Sequence, residues 1–162
     1  MMRRYPLILI LILGLFLVFG CEDDEGTDDD VIETDAWVGT WLSAGTDVAP
    51  LLAALFSLDS IEATFNEDNT VSLRQHEVGA AWTSLNGTYL ITESTDSEID
   101  AITLDYTTFT QEGIIEIIDG VLRLEAVQTV PDIGATVPTV AAGFGADPTL
   151  GIVNIQTYRI QD

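Results

Sequence analysis

Between residues 36 and 162, short runs of alternating apolar and polar residues recur between turn signals, and this period of two constrains the fold more than any other feature. Ile61, Ala63 and Phe65 alternate with Glu62 and Thr64, and Val71 and Leu73 follow the polar stretch Asn66 to Thr70. A four-residue loop would place these apolar sets on opposite faces. A five-residue loop pairs Phe65 with Val71 and Ala63 with Leu73, so that register or an equivalent bulge is expected. Trp37 to Ser43, a short strand near Ala81 to Leu85, Gly87 to Thr92 and Ile99 to Tyr106 read as further strands. The clearest hairpin spans Ile114 to Val127 around Asp119-Gly120, a pair suited to the positive φ angles of a type I′ turn. There Ile117 opposes Leu122 and Ile115 opposes Leu124 on one face, while Glu116 opposes Arg123 on the other. Val153, Ile155 and Thr157 alternate with Asn154, Gln156 and Tyr158 in a closing strand.

One segment has helical period. Val48, Leu51, Leu52, Leu55 and Phe56 fall at i, i+3, i+4, i+7 and i+8, with Thr46 or Asp47 placed to cap and Pro50 in the first turn. The stripe reads as core rather than as a ligand surface. Pro131 to Gly151, rich in glycine and proline, is too long for an ordinary connection, so it is either a lid over an opening or an insertion packed outside. The whole is an all-β fold of about eight antiparallel strands with one short helix after the first strand, a number that closes as a small barrel.

Ahead of this domain, Arg3 and Arg4 precede an apolar run from Leu7 to Phe19, and the only cysteine, Cys21, follows Gly20. Those 13 residues fall short of the roughly 20 that a spanning helix needs. The pattern resembles the signal peptide of a bacterial lipoprotein, which implies cleavage after residue 20 and a diacylglycerol on Cys21. The expected organisation is a signal at 1–20, an acidic tether at 21–36 with the run EDDEGTDDDVIETD, and a folded domain at 37–162. The expected location is the bacterial cell envelope, with the lipid in a membrane; Glu22 after the cysteine leans toward the outer one. A lone cysteine excludes an intramolecular disulfide, so a single core carries stability.

After cleavage three arginines would stand against 27 acidic residues, with no lysine in the chain. Such a surface repels phosphate backbones, which excludes nucleic acid as a partner. His76 is the only histidine, so no multi-histidine metal site can be built, and no resident cofactor is expected. Asp28-Asp29-Asp30 lacks the ligand spacing of a calcium loop. There is no Gly-x-Ser-x-Gly elbow, and no catalytic residue is nominated. The sign of an enzyme would be His76 hydrogen-bonded to a carboxylate within a cleft. Trp82, Tyr89, Tyr106 and Phe109 read first as core and second as lining of a cavity.

Val38-Gly39-Thr40-Trp41 resembles the Gly-x-Trp signature at the first strand of lipocalins and of bacterial lipocalin-like lipoproteins. The hairpin at Ile61 to Asn66, the Gly87-Thr88-Tyr89 opening of a later strand and the closing strand are similar in kind. The resemblance implies a lipocalin-like barrel whose floor is made by Gly39, Trp41 and Arg159, with the guanidinium lying over the indole. It also implies an open end that takes a small apolar molecule. The other expectation is an envelope structural or protein-interaction module with a filled barrel and no small ligand. The two differ in the interior, since a carrier needs a cavity of about 300 Å³ or more.

Overall fold

A computed structural model describes residues 35–161. The expected signal at 1–20, Cys21 and nearly all of the expected tether at 21–36 lie outside the described residues. Within them the chain runs β1 (Gly39–Ala44), a 3-10 turn (Gly45–Asp47), α1 (Pro50–Phe56), β2 (Leu58–Phe65), β3 (Thr70–Glu77) and β4 (Thr83–Thr92). It continues as β5 (Asp100–Tyr106), β6 (Phe109–Ile118), β7 (Val121–Val130), a second 3-10 turn (Gly151–Asn154) and β8 (Gln156–Ile160). Each strand pairs antiparallel with the next, and β8 returns to β1, so the sheet closes as an eight-stranded up-and-down barrel. This is the all-β barrel of about eight strands that the period-two pattern implies, with the lipocalin-like architecture that the resemblance implies. The separate strand expected near Ala81 to Leu85 is instead the front of β4.

The two hairpins with the clearest patterns form in the expected registers. Ala63 faces Leu73 and Phe65 faces Val71 in β2–β3. In β6–β7, Ile115 faces Leu124, Glu116 faces Arg123 and Ile117 faces Leu122. Asp119 and Gly120 both hold positive φ, 52° and 74°, as a type I′ turn demands.

Closure gives the barrel two unlike ends. One carries the β2–β3, β4–β5 and β6–β7 loops and the entry of the chain at β1. Its interior is solid: Trp41, Phe65, Val71 and Tyr89 are buried there, with the Phe65 and Tyr89 rings edge to face at 5.1 Å. The other end carries α1, the turns after β3 and β5, and the long connection from β7 to β8. There the interior is hollow.

Candidate functional site

Under α1 and the β7–β8 connection lies a cavity of about 300 Å³. Its wall is made by the inward residues of successive strands, including Ile61, Ala63, Leu73, Leu104, Leu124 and Ala126, and Leu51, Leu52, Leu55 and Phe56 of α1 close it from above. Ile133 and Leu150 of the long connection complete the rim. The wall includes the polar side chains of Gln75, Tyr106, Gln111, Gln128, Asn154, Gln156 and Tyr158, but no Asp, Glu, Arg or His. None of the acidic residues among the described ones stands on this wall, so those of the barrel have been sorted outward.

The helical stripe therefore does not sit on solid core, as expected from its period. Leu55 and Phe56 are 66% and 56% exposed while also facing the cavity. The period shows that one face is turned to apolar neighbours; it does not show whether those neighbours leave a space. Capping also differs from expectation. Neither Thr46 nor Asp47 caps α1: the N-cap is Ala49, which has no side chain for the purpose. Gln156 of β8 serves both sides of this connection. Its Oε1 accepts from the Ala49 N–H at 2.8 Å, and its Nε2 donates to the Ser43 hydroxyl. Asp47 is engaged elsewhere, accepting from Arg159 Nε at 2.9 Å.

That ion pair decides the position of Arg159. Arg159 faces Leu42 across β1–β8, and Leu42 lies on the outer face because its neighbour Trp41 points in. The arginine is thus outside the barrel, and the expected stacking over Trp41 does not form. Trp41 is buried, and its indole N–H donates to the Trp37 carbonyl at 2.8 Å. A Cβ at Gly39 would come within 2.9 Å of Ile160 Cδ1, so bare backbone at Gly39 admits the Ile160 side chain where the guanidinium was expected.

The segment Pro131 to Gly151, for which the sequence left two readings open, borders the cavity in one part and packs outside the barrel in another. Ile133 and Leu150 face the cavity, and α1 packs against the turn Gly151–Asn154. Phe144 and Gly145 meanwhile lie on the outer face of β7. There the Arg123 guanidinium is 4.3 Å from the Phe144 ring centre, and the Gly145 N–H donates to the buried Glu125 carboxylate at 2.7 Å. That cover explains why outward-facing Ile114, Glu116 and Glu125 are buried.

The closing strand begins later than its alternation suggests, at Gln156. Val153 belongs to the 3-10 turn, and the inward set is Gln156 and Tyr158 rather than the apolar one. Tyr158 is 2% and Tyr106 4% exposed, and both line the cavity. Burial raises the Tyr106 phenol to about 12, and burial together with the nearby Tyr106 raises Tyr158 further. Both rings are therefore neutral hydroxyl donors throughout the ordinary pH range. Gly87 makes room for one of them: a Cβ there would meet the Asp105 carbonyl at 2.3 Å and the Tyr106 ring at 2.9 Å.

His76 does hydrogen-bond a carboxylate, Asp59, at 2.6 Å, and this bond holds the Asp59 carboxyl below its ordinary value. The pair lies on the outer face of β2 and β3 beside Trp82 and is not part of the cavity wall. A wider hollow of about 610 Å³ at the opposite end, bordered by Val38, Thr40 and Asn66 to Asp68, is an open depression. Among the described residues no three of His, Cys, Asp and Glu are grouped to hold a metal ion. No helix among them is long and apolar enough to cross a membrane. Comparison with protein-family models, curated proteins and solved structures finds no match to the chain.

Proposed function

We propose that this chain is a lipid-anchored lipoprotein of the bacterial cell envelope, related to the lipocalin-like lipoproteins, whose barrel binds and retains a small apolar molecule without making or breaking bonds. The observation that carries the binding reading is the uncharged cavity of about 300 Å³, at the lower limit of ordinary ligand pockets. The apolar rim supports the same reading. Leu55, Phe56 and Ile133 each face both solvent and cavity, which gives an apolar molecule a continuous path inward. The lipoprotein reading rests on Arg3, Arg4, the run from Leu7 to Phe19, and Cys21. Membrane attachment is then the work of the acyl chains, each buried methylene contributing about 0.8 kcal/mol.

The test is titration with N-phenyl-1-naphthylamine, a neutral fluorescent probe, beside the Ala126→Leu variant. Ala126 lies on the cavity wall, so the added carbons occupy the void. The expected result is saturable binding at one site, weakened about tenfold or more by Ala126→Leu with melting temperature unchanged or raised. A folded protein that leaves the probe unbound would turn the proposal over in favour of a filled scaffold.

A further inference from the structure

The polar side chains of the cavity differ in whether the protein itself satisfies them. Gln156 is fully engaged with Ala49 and Ser43, Gln128 donates to the Pro131 carbonyl at 2.9 Å, and Asn154 donates to the Ala126 carbonyl at 3.0 Å. Among the described residues the hydroxyls of buried Tyr106 and Tyr158 have no hydrogen-bond partner, and neither do the side chains of the less buried Gln75 and Gln111. Every side-chain oxygen and nitrogen sealed off from water does have one, so these two hydroxyls open onto the cavity space. A hydroxyl that faces such a space is free to donate to a ligand oxygen placed within hydrogen-bond reach.

Charge narrows the choice of that atom. Each arginine of the barrel is already paired outside the cavity, Arg74 with Glu62 at 2.8 Å, Arg123 with Glu116 and Arg159 with Asp47 at 2.9 Å. A carboxylate entering the cavity would meet no cation and would be buried unpaired, a heavy cost. An alkane offers neither phenol an acceptor. A carbonyl oxygen is uncharged, carries lone pairs and can accept from a phenol.

We propose that the ligand of this cavity is a neutral apolar molecule bearing a carbonyl or similar acceptor oxygen, which docks at the hydroxyls of Tyr106 and Tyr158, and that ionised fatty acids are rejected. This rests on the binding function proposed above and specifies its chemistry. Tyr106 and Tyr158 then determine specificity, while the leucines and isoleucines supply the apolar contact.

The experiment uses the full chain in zwitterionic detergent micelles with 2-nonanone carrying a ¹³C-labelled carbonyl, compared with nonane and nonanoate. Binding is read from magnetisation transfer to the cavity methyls of Leu73 and Leu124, and hydrogen bonding from the carbonyl resonance against its position in protein-free micelles. The expected result is bound ketone with a downfield-shifted carbonyl, and at least tenfold less nonanoate bound at pH 8. Tyr158→Phe and Tyr106→Phe should each return part of the shift and weaken the ketone about fivefold, the scale of one hydrogen bond, with nonane unaffected. Bound ketone with an unshifted carbonyl in the unaltered protein overturns the assignment of the two tyrosines, whether or not either variant folds. Nonanoate bound as well as the ketone overturns the neutral-ligand claim. In both cases the cavity remains a binding site. If neither nonanone nor nonane reaches the methyls, the binding function itself is wrong and this inference falls with it.

Discussion

Tyr106 and Tyr158 carry more of the site than their neighbours, and their ionisation gives a direct measure of it. Both phenols are raised above the ordinary 10.0 by burial, so folding favours their protonated form. Their contribution to stability is intact below pH 10 and is lost as the pH climbs above it. A titration followed by tyrosinate absorbance should show these two rings ionising only when the barrel opens, with the melting temperature falling steadily above pH 10. Full ionisation of every tyrosine near pH 10 in a barrel that keeps its β-sheet signal would show that the phenols are not buried. Trp41 belongs to the same scale. Its indole fills the solid end at 3% exposure, so Trp41→Ala should cost about 3 to 5 kcal/mol in urea unfolding. A loss under about 1 kcal/mol would mean that the ring contributes little packing. The tryptophan was legible in the sequence because Gly-x-Trp stands at the head of an alternating run; Arg159 was misplaced because its partner is set by register. One residue decides whether a side chain on β8 lies inside or outside, and Leu42 opposite Arg159 puts it outside.

At the scale of elements, the sequence was most legible where two strands meet through a short turn. Asp119-Gly120 fixes the register of β6–β7, and then both faces agree without tertiary help. It was least legible on β8, where the wall of a cavity reverses the usual rule. Gln156 and Tyr158 point inward because one ties down the β1–α1 connection and the other faces the void, whereas Val153 ends up in a turn. Period-two reasoning assumes that the apolar set is the buried one, which fails where the interior needs donors. The connection from Val130 to Ile155 could not be placed by pattern, because its position depends on Glu125, an acid in an outward phase whose burial has no local signal. Glu125 Oε2 receives the Gly145 N–H, and this bond holds the connection against β7. Glu125→Ala should cost about 1 to 3 kcal/mol and speed proteolytic cleavage between residues 131 and 151, while Glu125→Gln keeps an acceptor and most of the protection. Equal cleavage rates in both variants and the unaltered protein would show that other contacts hold the segment.

Taken as a whole molecule, the barrel is polarised along its axis. Of its exposed large apolar side chains, Leu55, Phe56, Val78, Trp82, Val130, Ile133, Ile152 and Val153 belong to connections or strand ends at the hollow end, against only Leu90, Ile118 and Ile160 elsewhere. The chain enters β1 at the solid end, so access to the cavity does not compete with the entry of the polypeptide. Apart from buried Glu116 and Glu125, the acids among the described residues lie toward the exterior, and an exterior of this sign has no attraction for anionic lipid head groups. Under the proposed function, then, the barrel surface does not hold the protein at the membrane, and attachment falls wholly to Cys21. Cys21→Ala tests this directly, read by incorporation of labelled palmitate and by the mass of the product. The expected outcome is no label and a chain that keeps residues 1–20, because removal of a lipoprotein signal follows acylation of the cysteine. A variant that is still labelled, or still cut before residue 21, would mean that the cysteine is not the lipid acceptor, and the acidic barrel would then need another means of reaching the envelope.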